Sequence, residues 1–492
     1  MIEMVGGEMP SFTEDRPRAG GALFGYLAGR LPAGADVLVA GPHTDELIAA
    51  LAERSTVTCL VRSEPEAIEL DARGLTVLCG TLAKLPAAEK YDVIVALDGL
   101  DRLCSVEDEQ LDWAASLQVL KRALRPGGTL LLAVENELGV HRLVDPTTAT
   151  SAQTDSAWRP LGEFDTKPGN PTRLAGKLAA EGLAIDWLGA AWPVPEAPTL
   201  IATPNALQDG PADALAAFAA GAVGAAYQEK AVLSDPRRLA AAAVRGGLGP
   251  EFAASWLVVA HRAPRPAAAL SLPPVLAGDD SVVEIGPGPD GAWVRRGQTG
   301  TPLPTGRLLE ELLLGAALRH DLPLLRRLLT GWTAALPDQG ADNVVVHHDA
   351  FAVLDPGIPP QTDVIRRFAQ TLLGGGYAHP WPAATDLPTL TSVLHGAAGL
   401  PDDVPPVPAE DEIPLPDSRR EHEEQLRALR RQIADATSRS QWYERELDKR
   451  DKELNKLRKQ VSLFSGSVSF RVAKIGYGVA RKARNRLRKG LK

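Results

Sequence analysis

Short, almost wholly apolar runs recur through the first 205 residues, and each is followed by a segment with helical spacing. Runs at 37–40, 57–61, 76–79, 92–97 and 129–134 are too short for helices and carry no polar alternate positions. Such runs form strands buried on both faces. Between them, 45–53 places Leu47, Ile48 and Leu51 on one helical face, and a second helical pattern covers 111–124. Arg125, Pro126, Gly127 and Gly128 follow as a predicted turn, since proline and glycine stop a helix. A helix near 172–181 and strands near 184–188 and 199–203 complete the unit. Strands alternating with helices predict an α/β fold with a parallel sheet.

The chain has 492 residues, too many for one core, so several domains are expected. Residues 206–400 read as an α+β accessory domain. Helical patterns lie at 210–245, 306–320 and 322–335, a β-rich piece at 281–296, and a hairpin-like pair at 344–348 and 351–355. Residues 401–417 hold six prolines and six acids, the composition of an extended linker. From 418 to 465 a heptad runs with a positions Leu426, Ile433, Ser440, Leu447, Leu454 and Val461. Its d positions are Leu429, Ala436, Tyr443, Arg450, Leu457 and Phe464. This predicts a long coiled-coil helix and a homodimer.

Charge is divided just as sharply. The net charge is −9, yet residues 466–492 contain nine Lys/Arg and no acid, which leaves −18 on the rest. A basic segment with Phe470, Ile475, Tyr477 and Val479 predicts an amphipathic tail touching an anionic membrane. An acidic body without an aromatic platform argues against nucleic acid as a partner. Cys59, Cys79 and Cys104 lie in apolar surroundings without CxxC spacing, so neither a disulfide framework nor a metal site is expected. With no basic-then-apolar leader at the start, the expected location is cytoplasmic, peripheral at the inner face of the cell membrane.

Three stretches carry a family likeness. Residues 37–47, with Gly41 in the turn, resemble the first motif of class I S-adenosylmethionine-dependent methyltransferases. Residues 91–98, ending in Asp98, resemble that family's fourth strand and terminal acid. Residues 120–132, with Leu-Arg-Pro-Gly-Gly-Thr-Leu, are similar to the segment before its fifth strand. Residues 190–200 and 252–259 resemble a bacterial subgroup associated with cell-surface glycan assembly. The resemblance implies a Rossmann-like methyltransferase sheet over 1–205, with S-adenosylmethionine as cofactor and a sugar, glycan-linked or small-molecule acceptor. It assigns cofactor contacts to Gly41, His43, Asp45, Arg62, Thr81, Leu82 and Asp98. By the same resemblance Asp98 is expected to face the sulfonium or to orient the substrate, and His141 beyond strand five is the candidate general base.

At several of these places the residue types differ from the family's. Val39 stands for the acid of strand one, and His43 and Asp45 for two small residues. Arg62 replaces the acid after strand two, with Glu64 and Glu66 nearby. These changes support an alternative, a catalytically inactive scaffold acting through its coiled coil and basic tail. A third reading is a kinase-like phosphotransferase in residues 280–375. Asp338, Asn343 and Asp355 have its Asp/Asn spacing, although Leu336 stands where a histidine is common. A hairpin with Asx turns gives the same spacing.

Overall fold

The computed structural model describes residues 1–401, apart from 15, 106, 146–165, 228–229, 231, 233, 264–269 and 297–300. It further describes the helices Arg419–Gly466 and Val468–Lys489. The linker expected at 401–417 lies outside the described residues beyond its first position.

The chain divides into two units, Met1–Ser418 and Arg419–Lys492. In the first, six strands form a parallel half-sheet: β1 (Ile2–Gly6), β2 (Asp36–Ala40), β3 (Thr56–Val61), β4 (Thr76–Gly80), β5 (Tyr91–Ala96) and β6 (Leu124–Glu135). Their spatial order is β1-β4-β3-β2-β5-β6. The antiparallel half adds β7 (Leu183–Trp192), β8 (Leu200–Ala202), β9 (Ser255–Arg262), β10 (Val275–Ala277), β11 (Val283–Pro287), β12 (Trp293–Arg296) and β13 (Thr301–Pro302). It continues the order as β9-β7-β8-β10-β11-β12-β13. Strand order reverses between β2 and β5, so the chain leaves those two neighbours in opposite directions. That reversal opens a crevice at the carboxyl ends of a doubly wound sheet.

Alternate residues explain the apolar runs. Leu38, Ala40, Leu60, Ile94 and Leu132 face one buried layer, while Val37, Val39, Cys59, Val95 and Leu131 face the other. Helices cover both sides, so the central residues of β2 to β5 are buried on both faces and the sequence shows no polar alternation there. All three cysteines are buried thiols. Burial pushes Cys59 up to about 12, which keeps it protonated and inert.

Several boundaries differ from the sequence-based expectation. The first domain does not end at 205: β9 inserts between β6 and β7, and β10 to β13 extend the same sheet. The expected turn at 125–128 is part of β6. The register slips there, pairing Tyr91 with Leu124 and then Val93 with Thr129, and Gly127 absorbs the extra residues at φ 78°. Strand β1 lacks any strong pattern and forms because β4 offers it an edge. At Gly80, with φ 149°, a Cβ would stand 2.4 Å from the Gly6 carbonyl oxygen.

A separate core gathers residues 309–400, where helices Leu309–Leu318, Leu322–Ala335, Val364–Gly374 and Leu387–Ala398 pack around Trp332 and Phe368. A small sheet of β14 (Arg307–Leu308), β15 (Val344–His347) and β16 (Ala350–Val353) joins it.

The second unit comprises the helices Arg419–Gly466, 48 residues long, and Val468–Lys489. Leu429, Ile433, Tyr443, Leu447, Leu454, Leu457 and Val461 are exposed along the first. Among the described residues, no helix is long and apolar enough to cross a membrane.

Candidate functional site

The crevice at the β2/β5 switch point is built by three strand ends and a strap described over residues 7–14 and 16–20. Gly41 leaves β2 at φ 91°, a conformation that glycine adopts without strain. The strap crosses the strand ends on backbone pairs Met9 with Ser63 and Ala19 with His43.

His43 lies in the floor, buried between the two strands that part there. The Leu97 N–H donates to its Nε2 at 3.1 Å, so Nδ1 carries the proton and donates to the Gly41 carbonyl at 2.9 Å. Burial, with the charge of Arg102 adding to it, lowers its pKa to about 4, and the ring is neutral. The imidazole therefore fastens the β2 turn to the end of β5.

Above it, four charged side chains close on one another. Arg62 Nε donates to Glu14 Oε1 at 2.7 Å, and its Nη1 reaches across to the Cys104 carbonyl at 2.8 Å. The Phe12 ring stacks 5.3 Å from this guanidinium. Arg102 grips Asp98 with two nitrogens, Nε at 2.7 Å from Oδ2 and Nη2 on Oδ1. The remaining donors of Arg102 go to the Pro17 and Arg16 carbonyls at 2.8 and 3.3 Å, with Glu14 Oε2 at 3.8 Å. Burial pushes Asp98 up to about 6 against the pull of Arg102, which leaves it ionised at neutral pH. Glu66 is pushed up to about 7 by burial, with Arg18 3.4 Å away.

The assigned cofactor residues are brought together only in part. Gly41, His43, Arg62 and Asp98 meet in this crevice. Thr81 is fully buried beside it, but its hydroxyl accepts the Ser105 N–H at 3.2 Å. Leu82 packs in the core below, its N–H on the Leu103 carbonyl. Asp45 does not belong to the site. It starts the helix Asp45–Ala52 and pairs outward with Arg73 and Arg18. Sequence reasoning missed Glu14 and Arg102, which stand among other charged and polar residues and carry no motif of their own.

His141 stands on the rim after β6. Glu135 Oε1 lies 3.0 Å from its Nε2 and also accepts from Arg142 Nε at 3.0 Å. Burial alone would raise the Glu135 carboxyl, but His141, Lys167 and Arg142 hold it well below the usual range. Among the described residues Nδ1 of His141 has no hydrogen-bond partner, and it is walled by Gly139. Arg16 of the strap reaches Glu135 at 3.8 Å and Glu196 at 3.5 Å, which ties the rim to the crevice.

The kinase-like spacing resolves into a hairpin clasp. Asn343 Nδ2 donates to the Asp355 carbonyl at 2.8 Å, and its Oδ1 accepts the Asp355 N–H at 2.8 Å. Asp355 Oδ1 accepts the Gly357 N–H at 2.8 Å. The last is an Asx turn, and the Asn343 amide clamps the two strands of the hairpin, so both side chains are used in holding the turn.

No family model matches the chain, and no curated protein matches it. Among solved structures it is similar to the [4+2]-cyclase SpnF, with 17% identity over 50% of this chain and 80% of that one, at TM-score 0.27. A second is geranyl diphosphate C-methyltransferase from Streptomyces coelicolor A3(2), in complex with Mg2+, geranyl diphosphate and S-adenosyl-L-homocysteine. It shares 13% identity over 49% of this chain and 79% of that one, at TM-score 0.29. A third is a SAM-dependent methyltransferase from Geobacter sulfurreducens in complex with S-adenosyl-L-homocysteine, with 13% identity over 50% and 94%, at TM-score 0.26.

Proposed function

We propose that this chain is an assembly protein of methyltransferase shape, in which an internal salt-bridge cluster occupies the crevice where S-adenosylmethionine binds in that family. The carrying observation is the Glu14–Arg62 pair with Arg102 and Asp98, closed over a neutral His43. Arg62 spans from the end of β3 to the Cys104 carbonyl, and Arg102 takes both oxygens of Asp98. Paired with one another in this way, the residues as they stand do not fit this cofactor.

The working parts are then the two C-terminal helices. Apolar a and d positions exposed along Arg419–Gly466 support pairing with a second copy, because desolvating such a seam is what stabilises a coiled coil. On Val468–Lys489, Val472, Ile475 and Val479 share one stripe among many cations, which suits the surface of an anionic membrane. Two such helices on one dimer raise avidity, and the cytoplasmic leaflet is the surface of matching charge.

Two observations favour a second reading, methyl transfer from S-adenosylmethionine to a sugar, glycan-linked or other small-molecule acceptor. Glu14, which ties the two guanidiniums, belongs to the strap and not to the sheet, and Glu135 already orients His141 at the rim. In this reading the strap must lift before the cofactor enters.

Calorimetric titration of the full-length protein with S-adenosylhomocysteine decides between them. The assembly reading expects no heat at millimolar ligand from the wild type or from Glu14→Gln. Binding by either protein, abolished by Gly41→Asp, replaces it with the methyltransferase reading.

A further inference from the structure

Away from the crevice, a cavity of about 230 Å³ opens between the helix Pro236–Arg245 and the helix Leu309–Leu318. Four arginines line it, Arg237, Arg238, Arg307 and Arg319, against a single carboxylate, Glu311. That carboxylate is already committed. Arg245 holds both of its oxygens, at 3.0 and 2.9 Å, and Arg307 bonds Oε1 as well. Arg237 is fixed from behind by the buried Glu310, 2.8 Å from its Nε. The Arg238 and Arg319 guanidiniums form no hydrogen bond or ion pair among the described residues, and the two backbone N–H groups donate to Asp235 and to the Gly315 carbonyl. Gly315 leaves room for the Arg319 guanidinium, whose Nη1 would be 3.4 Å from a Cβ there.

Guanidiniums converging on one cavity repel each other unless an anion joins them, and their planar forks match phosphate oxygens. The cavity is smaller than the roughly 300–1,000 Å³ of pockets that enclose a whole ligand. It suits one anionic group, with the remainder of the molecule outside. We propose that this cavity binds the phosphate or diphosphate group of a phosphorylated ligand, with Arg238 and Arg319 as the specificity-determining residues. This site is independent of the β2/β5 crevice and of both readings proposed for it.

The test titrates the full-length protein with sodium pyrophosphate and with inorganic phosphate, each against sodium chloride of equal ionic strength. Calorimetry is read together with the shift in unfolding temperature. Pyrophosphate is expected to bind and to raise that temperature, and Arg238→Gln with Arg319→Gln is expected to weaken it about tenfold or more. Both arginines are exposed, so the double variant retains the fold, which its unliganded unfolding temperature checks. Binding that persists unchanged in the double variant belongs to the basic tail and overturns the site, as does a response equal to that of chloride. Glycerol 3-phosphate and dihexanoyl phosphatidic acid separate the sources. Equal affinities assign the site to soluble phosphate esters, and a lipid preference of about tenfold assigns it to a lipid headgroup.

Discussion

Glu14 accepts a 2.7 Å hydrogen bond from Arg62 across 48 positions of sequence, with both side chains buried. The strap thus supplies an anion to a cation fixed on the sheet. A buried pair costs its desolvation, so its removal is informative mainly one partner at a time.

Glu14→Ala should destabilise the first unit by about 3–5 kcal/mol in urea unfolding, because it strands a buried guanidinium. Combining it with Arg62→Met should return a large part of that loss, giving a coupling of about 2 kcal/mol. Additive effects of the two substitutions would show that the pair does not hold the strap.

Acid should loosen the same crevice through His43. Its folded value of about 4 lies below the ordinary 6.5, so the unfolded chain takes up the proton first. Stability is therefore lost as pH falls from 6.5 to 4, by about 3 kcal/mol. Asp98 and Glu66 run the other way, their raised values giving stability at low pH that disappears as pH rises to about 6 and about 7. The difference between wild type and His43→Gln isolates the imidazole, since glutamine can keep both hydrogen bonds. A difference that does not change with pH between 6.5 and 4 would contradict a buried neutral ring.

Sedimentation equilibrium checks the long helix. The full-length protein should be a dimer, and Ile433→Lys with Leu447→Lys and Leu454→Lys should be a monomer, since charges at a and d positions cannot be desolvated. A triple variant with unchanged mass would place any oligomer contact elsewhere.

The basic helix should bind vesicles containing phosphatidylserine and release them as salt rises. Replacing Arg481, Lys482, Arg484 and Arg486 with glutamine removes about 1 kcal/mol per cation, close to a thousandfold in partition coefficient. Equal binding to neutral vesicles would remove the electrostatic basis of the contact.

The parallel half-sheet was legible because continuous apolar runs of strand length have one stable solution, burial on both faces. Leu38 and Val39 report this directly, being neighbours in sequence and members of opposite layers. The turn at Gly41 was legible for the same local reason. The segment 125–128 misled, since proline and glycine punctuate a helix but also relieve a bulge, and only pairing with β5 selects the bulge. The domain boundary at 205 failed because β9 enters the sheet between β6 and β7, a long-range pairing that no local pattern encodes.

Sequence by itself therefore determined the α/β class, the position of the switch-point turn, the heptad helix and the basic tail, all of which follow from periodicity and charge within one segment. Only the tertiary structure decided what occupies the crevice. Neutral His43 depends on the Leu97 N–H, Arg62 on Glu14 and Arg102 on Asp98, and two of these three contacts join residues far apart in sequence. Desolvation makes each one obligatory once the fold has formed, and it acts on neighbours in space, which a linear chain does not display.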